Sequence, residues 1–118
     1  MSAGEGTVTV HTLDHGSLIL PEPGWCAGEH PFDGQRKDFT HYGAEQPLHF
    51  RGHLLWTAML AQAPFSPSPL VGAYIEQTGW AATLDPAGIR ALADVEQAHA
   101  DSLRRLAAQL AALREDAR

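Results

Sequence analysis

The sequence predicts an α+β fold: a small antiparallel β-sheet of about four strands, a long irregular loop and one long C-terminal α-helix. Three observations carry this expectation. The first two thirds contain short runs in which apolar and polar residues alternate, the period of a half-buried strand. Residues 25–47 have no sustained period but several glycines and prolines. The last third is rich in alanine and leucine and has no proline after Pro86, the composition of a helix.

Residues 1–6, MSAGEG, carry no pattern and are expected to form a disordered end before a single domain over 7–118. In TVTVHTL, Val8 and Val10 alternate with Thr7, Thr9 and His11. DHGS then supplies turn residues and LIL resumes a β-type run, predicting a hairpin with strands at 7–13 and 17–20. The segment PEPG (21–24) ends it, and residues 25–47 follow as a loop. Loops this long inside a compact domain are functional or tied down by something. The run LHFRGHLLWTAMLAQ (48–62) opens with strict alternation, Leu48, Phe50, Leu54 and Trp56 against His49, Arg51 and His53. It reads as a half-buried strand, although its second part also suits a helix. PFSPSP (64–69) is a turn, and 70–77 is a further strand in which Gly72 marks a bulge.

Thr83 or Asp85 can cap the C-terminal helix, with Pro86 in its first turn and an end near Glu115, so that the helix covers 86–115. Ile89, Leu92, Leu103, Leu106, Leu110 and Leu113 fall three and four residues apart, with Glu96 and His99 in the intermediate places. That is a coiled-coil-like stripe with a polar interruption, either solvated or a buried pH-sensitive pair. A helix of about 28 residues spans ~42 Å, beyond the ~20 Å of a short strand, so its C-terminal half should overhang. Either the stripe packs throughout on its own sheet, or the Leu103 to Leu113 segment pairs with its copy in a homodimer.

The formal net charge of −6, with only eight Lys and Arg, argues against a nonspecific grip on phosphate backbones, so nucleic acid is not an expected partner. Arg36 and Lys37 form a small basic knot that reads as solvated loop charge. No apolar run is long enough to span a bilayer, and no membrane association is expected. The N-terminus lacks the basic start and apolar core of a secretory signal, and the single cysteine excludes an intrachain disulfide. Both point to a cytoplasmic protein.

The chemistry concentrates in GWCAGEHPFDGQRKDFTH (24–41). Cys26 and His30 are separated by three residues, and Asp38 and His41 by two. Such spacings let a compact turn aim two side chains at one point, as the paired ligands of zinc sites do. Cys26, His30, Asp38 and His41 offer a thiolate, two imidazoles and a carboxylate, a donor set suited to zinc. Asp38 either binds directly or orients a histidine, and His15, His49 or His53 could supply the fourth donor instead. Two other readings stand beside this one. Cys26 is a small buried thiol next to Trp25, or it is a nucleophile with His30 or His41 as base, although no oxyanion-hole pattern accompanies it.

LPEPGWCAGEH, followed by RKDFTHYGAE and by LDPAGIRALADVEQAHADSLRRLAAQL, resembles a family of small actinobacterial domains of unknown function. The resemblance runs from about Val8 to Leu113, and its specific part is Trp25, Cys26, His30, Asp38, His41 and Gly43. The family pattern implied is Trp-Cys-x3-His, then Asp-x2-His-x-Gly, then a C-terminal helix behind a Leu-Thr-Pro-like cap, where this chain has Leu84-Asp85-Pro86. The resemblance carries no activity with it, but it adds weight to Cys26, His30 and His41 as metal ligands.

The function expected is that of a small zinc-binding accessory or regulatory protein, non-enzymatic, working through protein–protein interaction. One alternative is a metal-dependent hydrolase in which Cys26, His30 and His41 hold zinc, water takes the fourth position, and Asp38 or Glu29 is the base. The other is a metal-free coiled-coil adaptor resting on the helix alone.

Overall fold

The structure is a computed structural model that describes residues 6–28, 30 and 32–116. Residues 1–5 of the disordered end expected over 1–6, and the candidate base Glu29, lie outside the described residues, while Gly6 is the first residue of a strand. A four-stranded antiparallel sheet, a two-stranded sheet and one long C-terminal helix make up the fold. The chain divides into two compact units, Met1–Ala44 with Leu60–Gly72 and Glu45–Met59 with Ala73–Arg118.

The first unit is built on the hairpin of β1 (Gly6–Thr12) and β2 (Gly16–Glu22), paired antiparallel with Val8 opposite Leu20 and Val10 opposite Leu18. Alternation sets the inner face. Val10 and Leu20 are buried and pack with Phe39, flanked by the partly buried Val8, Leu18 and Phe32. β2 continues two residues past the expected end. Pro21 is tolerated because it points outward on an edge strand, and the period of two then returns Glu22 to the face of Leu18 and Leu20.

The expected loop over 25–47 is shorter and more ordered than its composition predicts. It contains a short 3-10 helix, Arg36–Asp38, and β3 (His41–Tyr42). β3 pairs with the end of β5 (His53–Gln62), His41 opposite Gln62 and Tyr42 opposite Ala61. The Ala27 N–H donates to the Tyr42 carbonyl at 2.9 Å, beside an isolated bridge between Cys26 and Gly43. A side chain at Gly43 would place its Cβ 3.3 Å from both the Trp25 carbonyl oxygen and the Leu60 Cβ, so the close approach of these three segments needs glycine there. The hairpin turn holds the other end of the loop. The Arg36 N–H donates to Asp14 Oδ1 at 2.9 Å and the Leu13 N–H to the Gly34 carbonyl at 2.8 Å. The Arg36 guanidinium also lies 5.1 Å from the centre of the Phe65 ring, so half of the supposed basic knot is engaged.

The run 48–62, which lies in the second unit up to Met59, is two strands rather than one. β4 (Gln46–Phe50) pairs antiparallel with β5 from Gln46 opposite Ala58 to Phe50 opposite His53, with a register shift at Leu48/His49. Arg51 and Gly52 both have positive φ, 48° and 84°, the backbone of a tight two-residue hairpin turn. β6 (Gly72–Gln77) also pairs with β5, and the Thr78 N–H donates to the Leu55 carbonyl at 3.0 Å. Leu48, Phe50, Ala58 and Met59 are buried here.

The helix α1 (Pro86–Asp116) begins at Asp85, whose Oδ1 accepts the Gly88 N–H at 2.7 Å. α1 packs against β4. Its less exposed side follows the expected stripe through Leu92, His99, Leu103, Leu106, Leu110 and Leu113, with Val95 added, while Ile89, 56% exposed, and Glu96 fall outside it. His99 is buried, and its Nε2 lies 3.1 Å from the Gln46 carbonyl oxygen. Among the described residues no helix is long and apolar enough to cross a membrane.

Candidate metal centre

The side chains of Glu22, Cys26, His30 and His41 converge in the first unit, each offering one donor atom, all within 4.8 Å of one another. Backbone placement explains the convergence. Glu22 is the last inward residue of β2. Cys26 follows the Pro23 to Gly24 turn, where its N–H donates to the Pro23 carbonyl at 3.0 Å. His41 is fixed by β3 pairing with β5, and only 2% of it is exposed.

Aromatic edges wall the group. The Phe39 ring lies 4.9 Å from His41 and 5.5 Å from His30, and Trp25 is edge-on to His41 at 6.4 Å. Enclosure strengthens every electrostatic interaction inside, favourable or not.

The contacts are those of donors gathered without a central charge. His30 Nε2 lies 2.6 Å from Glu22 Oε2 and 3.6 Å from Cys26 Sγ. Glu22 Oε1 and His41 Nδ1 stand 3.0 Å apart, yet both are buried without a directed hydrogen bond. The two atoms share one enclosed space, where a proton on Nδ1 or a bound cation would satisfy both. Glu22, Cys26, His30 and His41 would hold the ion, and the 2.6 Å contact of His30 Nε2 with Glu22 Oε2 would have to open to admit it.

Each shifted acidity has a physical cause. Burial pushes the Cys26 thiol up, and the Glu22 carboxylate beside it pushes the same way, against the Gly28 amide. That amide donates to Sγ at 3.5 Å, an orientation that Gly28 reaches with φ of 86°. Burial also raises Glu22, but hydrogen bonds with His30 and Cys26 and the nearby imidazoles outweigh it, leaving the carboxyl below its usual range. His41 is lowered, chiefly by burial, so it favours the neutral form that ligates metals.

Of the four residues singled out from the sequence, the structure brings together Cys26, His30 and His41. Asp38 is exposed in the 3-10 helix, outside the cluster, and Glu22 supplies the carboxylate there instead. His49 and His53 are exposed on β4 and β5, and His15 sits in the hairpin turn 3.5 Å from Asp14. A signal for Glu22 exists in the chain: Glu22, Cys26 and His30 are evenly spaced by four, and Glu22 continues the inward period of Leu18 and Leu20.

The cluster can coordinate a metal ion through one thiolate, one carboxylate and two imidazoles. Among known proteins, no curated protein and no solved structure matches the chain. A domain of unknown function, DUF6907, matches residues 7–112, which include all four clustered donors. With nearly its whole length matched, the chain belongs to the DUF6907 family.

Proposed function

We propose that this chain is a small zinc-binding accessory protein, non-enzymatic and cytoplasmic, that acts by contact with another protein. The observation that carries the metal reading is the enclosed pair of Glu22 Oε1 and His41 Nδ1, 3.0 Å apart without a directed hydrogen bond, beside Cys26 and His30. Charge supports a divalent ion. One thiolate and one carboxylate cancel two positive charges, which makes the filled site cheap to enclose. The mixture of sulfur and imidazole favours zinc over magnesium or calcium, which take oxygen ligands.

A full set of four protein donors supports a structural role, since a tetrahedral site so filled keeps no position for water. The zinc would fix β2, the Cys26 turn and β3 to one another, and so the hairpin that exposes Leu13 and Ile19, 72% and 75% accessible. Exposed apolar side chains on a rigid hairpin suit a protein partner. A second copy is one such partner: Leu103, Leu110 and Leu113 are only partly buried along the C-terminal half of α1, which supports pairing there.

The test is elemental analysis of the untagged protein, followed by the absorption spectrum of its cobalt(II) form. About one zinc per chain, a thiolate-to-cobalt charge-transfer band, and visible d–d bands with the intensity of a four-coordinate ion are the expected result. Folded protein without metal would end the zinc reading. A cobalt spectrum that shifts with pH or on adding a small anion, as an exchangeable water in the fourth position would make it do, would favour a hydrolase that holds zinc through Cys26, His30 and His41.

A further inference from the structure

The two edges of the four-stranded sheet are finished differently. On the β4 side, Pro47 removes an N–H from the outer row and α1 packs against the strand. Features of this kind keep a sheet edge from pairing with another chain. β6 lies on the opposite side of β5 and, among the described residues, pairs with β5 alone. It contains no lysine, arginine or proline, and every residue from Ala73 to Gln77 is exposed. Its one charged group, Glu76, accepts a hydrogen bond from the Tyr74 hydroxyl at 2.8 Å. Ala73 to Gln77 belong to the second unit, and the metal cluster to the first.

The phase of the ladder shows which backbone groups face out. The Thr78 N–H donates to the carbonyl of Leu55, near the start of β5, so the end of β6 lies beside the beginning of β5 and the two run antiparallel. Counting back from Thr78 by twos, Glu76 and Tyr74 turn their backbone N–H and C=O toward β5. Ala73, Ile75 and Gln77 turn theirs outward, and none of these three makes a further backbone hydrogen bond to the described residues.

We infer that β6 pairs antiparallel with β6 of a second copy about a two-fold axis through Ile75, joining two sheets into one. Symmetry and sequence together select this occupant. A two-fold axis normal to the sheet leaves its faces unchanged, so residues set opposite each other share a face and the axis must pass through a residue, not between two. Centred on Glu76, it would oppose two carboxylates, and centred on Tyr74 it would carry Gln77 past the end of the copy's strand. Centred on Ile75, it uses every outward group: Ala73 exchanges its bonds with Gln77 of the second copy, and Ile75 with its own counterpart. The same register lays Ile75, 46% exposed, against Ile75 on one face. On the other face it sets Tyr74 opposite Glu76, the donor and acceptor that one strand already joins. The edge is thus complementary to itself. This contact is independent of the zinc and of the leucine stripe on α1.

Disulfide trapping of the full chain reads both the contact and its register. Under mild oxidation, Ile75→Cys should form a covalent dimer beyond that of the parent chain, whose only cysteine is Cys26. Tyr74→Cys and Glu76→Cys should not, because each lies diagonal to its own counterpart, beyond the reach of a disulfide. Sedimentation equilibrium of the parent chain should show a reversible dimer. Ile75→Lys, which opposes two ammonium groups, should remove it with circular dichroism and metal content unchanged, and Leu110→Glu should leave it intact. A monomer at all concentrations would overturn the inference. So would trapping at 74 or 76 equal to that at 75, or a dimer lost in Leu110→Glu and kept in Ile75→Lys.

Discussion

The two units of this chain solve the same problem differently. The second has regular secondary structure and a conventional core: Leu48, Phe50, Ala58, Met59 and Leu106 are all buried, and a 31-residue helix with a side-chain cap supplies one wall. The first buries Val10, Leu20, Phe39, Leu60 and Val71, and next to the cluster of Val10, Leu20 and Phe39 it also encloses a carboxylate, a thiol and two imidazoles. Enclosed polar donors of this kind cost free energy unless they are paired or bound to an ion. What the difference teaches is where each unit should be fragile: one to loss of packing, the other to loss of ligands.

The largest expected effect follows from removing the metal. Chelation, or Cys26→Ser, should cost the first unit about 3 kcal/mol or more. Hydrogen exchange would read this as lost protection across β1, β2 and residues 39–43, with α1 spared. Equal loss in both units would break the contrast. Acid should act in the same way as chelation. Every donor must shed its proton to ligate, so affinity falls as pH falls; the lowered pKa of His41 and of Glu22 delays that loss, while the raised pKa of the Cys26 thiol hastens it. Zinc release followed by a chromogenic chelator during an acid titration checks the sign.

A smaller effect, confined to the other unit, is expected of Leu106→Ala. Leu106 is 4% exposed, and its truncation should cost about 2–4 kcal/mol in denaturant unfolding while zinc content stays constant. Asp85→Ala removes the acceptor of the Gly88 N–H and should cost about 1 kcal/mol, measured as a lowered thermal midpoint with unchanged metal. The smallest effect is the most discriminating. Asp38→Asn should leave stability within about 0.5 kcal/mol and zinc content unchanged, whereas Glu22→Gln should lose metal. The reverse result would return the fourth ligand to Asp38.

How much of this was legible depended on whether a signal is periodic. The helix from Pro86 and the hairpin around residues 14–15 follow from composition, spacing and turn chemistry, and the structure holds both. Cys26, His30 and His41 stood out by residue type, and they do converge. Glu22 was hidden because Pro21 looked like the end of a strand, when on an edge strand it only faces outward. β3 is two residues long, too short to show any period, and is held by its pairing with β5. The division of 48–62 into two strands rests on Arg51 accepting positive φ beside Gly52, a conformation that arginine rarely adopts. His99 looked like a break in an apolar stripe; the Gln46 carbonyl and Trp56, both distant in sequence, make its burial tolerable.

The interleaving of the two units along the chain bears on how the protein is made. Glu22, Cys26, His30 and His41 all leave the ribosome before residue 60, where the rest of their unit begins. A ligand set completed that early can capture its ion on a nascent chain, so zinc supply during translation, rather than after release, would set how much of the first unit folds correctly.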